Sequence, residues 1–366
     1  MRIILSLCCA VLLAACAPRG QITLDPAAAT LGDARPIFVG TTRQLDPVTG
    51  QFTSARSAQV DYARLTVSVP PERALGTITY PPEGQKPNAA KDFLTTAETL
   101  YPGPTAFRAA LAKALAARPA AQREAMVYVH GFNNTFAESV YRLAQISHDL
   151  AVPAVPVAYA WPSAANPLAY AYDRDSVLFA RDGLERLLTQ IARAGARRIL
   201  LVGHSVGSEL VMEVLRQMRL DGNRAVMSRL SGVVLISPDL DVDVFRSEAL
   251  RIGQLPQPFV IFTSRRDRAL ALAARLTGER QRLGNLTDVK RLEDLKVTVL
   301  EVGAFSQGVG HFTAATSPAL IRILQRVNDL NQAYALDPAA RLGLLPGAVL
   351  SVRKATQVVL IPRGAP

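Results

Sequence analysis

Cysteine is nearly absent from this chain of 366 residues: there are three, at positions 8, 9 and 16, and none afterwards. A body without cysteine has neither a disulfide framework nor a thiolate zinc site. Histidine is almost as scarce. The four, His130, His148, His204 and His311, form neither H-E-x-x-H nor an i, i+4 pair, so no metal site is expected. There is no G-x-G-x-x-G and no Walker phosphate loop, hence no sign of a nucleotide cofactor, and none of any other kind is expected. No apolar run reaches the roughly 20 residues that a spanning helix needs. Tryptophan occurs once, as Trp161. Positive charge, in contrast, is plentiful: Lys and Arg total 41 against 30 Asp and Glu, a net +11 that Arg dominates and that is spread along the chain. With no basic block and no zinc-finger, helix-turn-helix or RNA-binding signature, nucleic acid is not an expected partner; the charge reads first as a generally basic solvated surface, with anionic lipid head groups as the functional alternative.

The N-terminus accounts for all the cysteines. Met1-Arg2 precedes an apolar run from Ile3 to Ala15, too short to span a bilayer and long enough for the core of a signal peptide. Its end, Leu13-Ala14-Ala15-Cys16, resembles a bacterial lipobox. That resemblance implies a signal peptide over 1–15, lipidation of Cys16 and attachment to a membrane. Ala17 rather than Asp follows, which implies the periplasmic side of the outer membrane. Residues 16–35, rich in Ala, Pro and Gly, are expected to be a flexible tether.

Folded structure is expected from Pro36. Ile37–Gly40 and Leu65–Val69 read as antiparallel strands around the turn signal Asp46–Gly50, with Gly76–Tyr80 as a third strand and a helix over Pro104–Ala117. From Met126 apolar strands alternate with helices: 126–129, 155–160, 198–202, 232–237, 258–263 and 296–302. Such alternation predicts right-handed crossovers and a mostly parallel sheet with helices on both faces, an α/β fold. The expected domain spans 36–336. A C-terminal extension, 337–366, holds two β-like runs, 348–352 and 357–361, that suit a hairpin.

The chemistry centres on Gly203-His204-Ser205-Val206-Gly207, which follows the apolar run Arg198–Val202 and opens a helical pattern. A serine flanked this way sits on a sharp strand-to-helix turn with its hydroxyl lifted from the sheet edge. A nucleophilic serine needs a histidine base and a carboxylate to orient it, in the order Ser, acid, His. Only His311 follows Ser205. The first candidate for the acid is Asp267, four residues past the fifth parallel strand; Asp239, after the fourth, is the alternative, with Asp241 and Asp243 beside it. The backbone N–H groups of Val206 and of Phe132, in the loop His130-Gly131-Phe132-Asn133, are the expected oxyanion donors. His130, His148, His204 and Trp161 are expected to be structural.

Several stretches together, 126–136, the Ser205 elbow, Trp161-Pro162-Ser163, Ser237-Pro238-Asp239, Asp267–Leu270, Gly310-His311 and the opening Phe38–Arg43, resemble one family from about Pro36 to Tyr334. It is the α/β-hydrolase family of unknown function labelled esterase/lipase superfamily protein (domain of unknown function 900). The resemblance implies the α/β-hydrolase fold, with antiparallel strands at its N-terminal edge, and a Ser205–His311–Asp267 hydrolase. It supplies no substrate. A small-molecule or lipid carboxylic ester is the first expectation; a thioester, amide or lactone is the alternative, and a non-catalytic envelope-binding lipoprotein on a hydrolase scaffold the second.

Overall fold

The computed structural model describes residues 19–276, 278, 281–306, 310–333 and 347–360. The signal peptide and Cys16 lie outside them. Eleven strands make one sheet: β1 (Asp33–Leu45), β2 (Phe52–Val69), β3 (Leu94–Tyr101), β4 (Glu124–Val129), β5 (Val155–Ala160), β6 (Arg198–His204), β7 (Leu230–Ile236), β8 (Phe259–Thr263), β9 (Thr298–Glu301), β10 (Gly347–Val352) and β11 (Ala355–Leu360). They lie in the order β10-β11-β9-β8-β7-β6-β4-β5-β1-β2-β3. Pairing is parallel from β1 through β11 and antiparallel at the two ends, β1-β2-β3 and β10-β11. This is the α/β-hydrolase fold that the sequence leads one to expect.

The period of two along each strand divides the core into two layers. Val127 and Val129 of β4 face one layer with Ile199, Leu201, Val233 and Leu235, covered by α1 (Pro104–Ala116), α4 (Arg181–Arg193), α5 (Val206–Leu220) and α6 (Val242–Ile252). Met126 and Tyr128 face the other, with Val202, Ile236 and Phe262, covered by α2 (Phe136–Asp149) and α8 (Pro318–Ala333). Strands with apolar side chains on both faces read as the unbroken apolar runs noted above. Two further helices, α3 (Tyr170–Phe179) and α7 (Arg268–Leu276), follow β5 and β8 at the edge where the parallel strands end.

Three expectations change. The third antiparallel strand is β3, Leu94–Tyr101, and not Gly76–Tyr80. That earlier stretch passes tightly under the chain end that follows His311: Gly76 has φ 82, and a Cβ there would lie 2.4 Å from the carbonyl oxygen of Thr316. Second, the part of the tether that is described lies on the body. Arg19 donates to the carbonyl oxygen of Asn133 at 2.8 Å and to Glu138 at 2.8 Å, and Gly20 N–H donates to Glu138 at 3.1 Å. Thr23 and Asp25 exchange backbone hydrogen bonds with Thr95 of edge strand β3. An open strand edge offers donors and acceptors that a neighbouring extended chain takes up. Third, 337–366 is no separate extension where it is described: β10 and β11 form the expected hairpin, and β11 pairs in parallel with β9, so the tail completes the main sheet.

Candidate active site

The GHSVG segment makes the turn from β6 to α5. Ser205 has φ 54 and ψ −127, backbone that a side chain takes only under constraint. Neither flanking glycine has a positive φ. Their use is clearance: a Cβ on Gly203 would lie 2.8 Å from Cα of Ser208, and one on Gly207 2.2 Å from the carbonyl oxygen of His130. The turn is tied to the next strand by Ser205 N–H to Ile236 O at 3.0 Å and Asp239 N–H to Ser205 O at 3.2 Å.

The loop after β4 runs against this elbow. A Cβ on Gly131 would lie 2.8 Å from Cβ of Ser205, so only glycine lets that backbone pass so close to Ser205. The next two amides are fixed. Asn133 N–H donates to Asp173 at 3.1 Å, and Asn134 N–H to Ser163 Oγ at 3.1 Å. Among the described residues neither the Phe132 nor the Val206 N–H has an acceptor, and Val206 opens α5, where the helix dipole favours negative charge.

Asp267 and His311 meet. Nδ1 of His311 lies 2.8 Å from Oδ2 of Asp267, and because a carboxylate only accepts, the imidazole donates there. The other oxygen, Oδ1, accepts the N–H of Leu270 at 3.0 Å and so caps α7, which holds the carboxylate plane. Asp267 is buried, while His311 is about one-fifth exposed on its side chain (22%). Gly310, with φ 72, turns the chain into His311. Hydroxyls anchor that turn: Ser264 to Ser306 at 3.0 Å, Ser306 to Thr313 at 3.0 Å, and Thr313 to the Gly310 carbonyl at 3.1 Å. The histidine loop is laid over the elbow, with the His204 ring 5.1 Å from that of His311 and 4.0 Å from that of Phe312.

Asp239 is placed elsewhere. It takes the Arg282 guanidinium at 3.1 Å and the Tyr170 hydroxyl at 3.0 Å, both within the protein, and it has no histidine partner among the described residues. Asp241 caps α6 by accepting the N–H groups of Asp243 and Val244.

The remaining histidines hold structure. His130 stacks on Trp161 at 4.7 Å with 8° between planes, Trp161 returns a hydrogen bond to the His130 carbonyl, and burial, helped by Arg43, pushes the imidazole down to about 3. Burial likewise keeps His204 well below the usual imidazole range. His148 lies beside Asp149 in the last turn of α2.

Two organising residues escape a reading of motifs. Arg43, on β1 and fully buried, donates to the carbonyls of Thr53, Ser163 and Asn134, clamping the loops after β4 and β5; burial pushes it down to about 10. Asp173, on α3, accepts from Ser163 at 2.6 Å, Ala164 at 2.7 Å and Asn133. A lone arginine inside an apolar strand was the one available signal for the first; nothing marks the second.

Solved structures with related shape include lipase B from Aspergillus fumigatus (15% identity, 55% of this chain, 51% of that chain, TM-score 0.36). An esterase from Pyrococcus furiosus (10%, 87% and 97%, TM-score 0.36) and esterase B from Lactobacillus rhamnosis (12%, 58% and 80%, TM-score 0.33) are others. This chain thus spans about half the length of the lipase, and likeness at this level is no guide to what it acts on. No curated protein matches it. Residues 104–327, more than half of the chain, match the family described as "Alpha/beta hydrolase of unknown function (DUF900)", and the chain belongs to that family.

Proposed function

We propose that this protein is a serine hydrolase that cleaves carboxylic esters. The observation that carries the reading is the 2.8 Å hydrogen bond between His311 and Asp267, at the sheet edge where Ser205 sits on its strained turn. In that arrangement Asp267 holds the imidazole with its proton on Nδ1, leaving Nε2 to take the proton of Ser205. The serine oxygen attacks the ester carbonyl, and the amides of Phe132 and Val206 receive the developing oxyanion, each worth about 3 kcal/mol in comparable sites. His311 then gives its proton to the leaving alcohol, and water, deprotonated by the same histidine, releases the acid. Lipid attachment through Cys16 at the periplasmic side of the outer membrane belongs to the same proposal and rests on the lipobox-like Leu13–Cys16.

The test is a fluorophosphonate probe followed by peptide mapping. Stoichiometric label on Ser205, lost in Ser205→Ala and in His311→Ala but kept in His148→Ala, is the expected result. Label on any other residue, or full ester hydrolysis by Ser205→Ala, overturns it.

A further inference from the structure

The start of the described chain is fastened to the active site. Arg19 donates to both the side chain and the backbone carbonyl of Asn133, next to the proposed oxyanion amide of Phe132, and to Glu138 in the first turn of α2. Two residues, Ala17 and Pro18, separate it from Cys16. An extended chain covers at most about 3.6 Å per residue, so the two Cα atoms are no more than about 11 Å apart. A lipid carried by Cys16 would be tied within that reach of Arg19.

The same edge carries the two most exposed large apolar side chains of the described residues. Leu168 (92% exposed) stands on the loop between β5 and α3. Val48 (91% exposed) stands at the tip of the β1–β2 hairpin, which overhangs this edge because β1 continues from Thr41, the partner of the last β5 residue Ala160, on to Leu45. After β8, Arg265, Arg266 and Arg268 are all exposed and line an open depression together with Asp267, Ala271 and Ser306. Projecting apolar tips with a cationic rim suit an anionic bilayer surface, the tips entering the head-group layer and the guanidinium groups meeting phosphate.

We propose that this edge docks on an anionic phospholipid leaflet and that the site takes its substrate from it, namely an acyl ester of a glycerophospholipid. The inference rests on the proposed serine hydrolase and on lipidation of Cys16, and it adds the substrate class and the orientation. The reaction is hydrolysis: the acyl C–O bond breaks, Ser205 holds the acyl group, the lysophospholipid leaves with the proton from His311, and water releases the fatty acid. Close tethering favours the reaction because head group and site are held together at high effective concentration.

The full-length protein, expressed with its signal peptide in a Gram-negative host and purified from membranes, carries its lipid into vesicles of phosphatidylglycerol with brominated acyl chains or of phosphatidylcholine. Environment-sensitive fluorophores are placed on Leu168→Cys and, at the opposite sheet edge, on the exposed Arg193→Cys. Quenching at 168 but not at 193, with phosphatidylglycerol cleaved at least tenfold faster than phosphatidylcholine, is expected. Leu168→Asp combined with Val48→Asp should lose at least tenfold in vesicle hydrolysis relative to hydrolysis of a water-soluble butyrate ester. Equal quenching at both positions, quenching at 193 alone, or a mature N-terminus without lipid overturns the orientation. If the soluble ester is cleaved through Ser205 while phospholipid is untouched, the substrate class falls and the hydrolase stands. If neither is cleaved and Ser205 takes no label, the underlying reading falls and this one with it.

Discussion

The loops around Ser205 and the loops that bear Asp267 and His311 share one sheet edge, yet they are held by different chemistry. On the serine side the groups that fix the backbone are buried and charged. Arg43 clamps three carbonyls, Asp173 accepts three donors, and His130 and Trp161 stack beneath them. On the histidine side the bonds that shape the turn before His311 run between neutral hydroxyls, from Ser264 to Thr313, with a left-handed glycine before His311. The buried carboxylates there, Asp267 and Glu301, hold backbone amides of Leu270 and Gly303. An oxyanion donor must be in place before charge develops, which favours a rigid, buried frame. A base that turns from one proton partner to another works from a partly exposed loop.

The largest effect should come from dividing the two candidate carboxylates. Asp267→Asn keeps the shape but removes the acceptor that fixes the His311 tautomer, so kcat should fall by about 10²–10⁴ with little change in Tm. Asp239→Asn should do the reverse, since it removes the carboxylate charge that faces the Arg282 guanidinium and the Tyr170 hydroxyl: a loss of roughly 1–3 kcal/mol of stability, read by urea unfolding, with His311 still in place. If Asp239→Asn costs more in kcat and nothing in stability, the acid has been misassigned and the contrast between the halves disappears.

Next in size is the frame itself. Asp173→Ala leaves the Asn133 and Ala164 N–H groups and the Ser163 hydroxyl without their acceptor, each worth roughly 1–3 kcal/mol when buried. Denaturation should show a loss of several kcal/mol, and the surviving folded protein should have a reduced kcat at nearly unchanged KM. The corresponding change on the other side, Ser306→Ala, should stay near 1 kcal/mol.

The last expected effect appears only with pH. On helices α5 and α6, burial and then the neighbouring Glu213 and Glu209 push Glu248 up to about 9, and burial pushes Glu209 up to about 7 against the pull of Arg174. A carboxyl whose folded value is raised binds its proton more tightly in the native state, so stability is full below the unfolded value near 4.5 and falls as pH rises toward the folded one. Thermal unfolding should therefore show Tm declining from pH 5 to 9. Glu248→Gln should flatten that decline and exceed the parent in Tm at pH 9.

Local pattern made the strands and most helices legible, because a strand with two apolar faces and a helix with one differ in period over a few residues. Gly76–Tyr80 misled because its apolar residues answer to Thr316 and Tyr141, far along the chain, and not to a strand neighbour. The supposed tether misled for a related reason. Its composition suits a linker, but Arg19 meets Asn133 and Glu138 across more than a hundred residues, contacts that composition does not encode. The capping box of Thr135 with Glu138 could have been read from T-x-x-E; that the same Glu138 also anchors the N-terminus could not.

By itself, then, the sequence determined the alternation of strands and helices and the elbow at Ser205, since each is written in residues close together. Tertiary structure alone decided that His311 lies beside Asp267 while Asp239 answers to Arg282, that the C-terminal hairpin joins the sheet beside β9, and that Arg19 meets the loop after β4. Those pairings join residues from 43 to over one hundred positions apart, and which of several carboxylates or strand edges is met depends on the strand order and crossovers of the whole sheet, not on any property local to either partner.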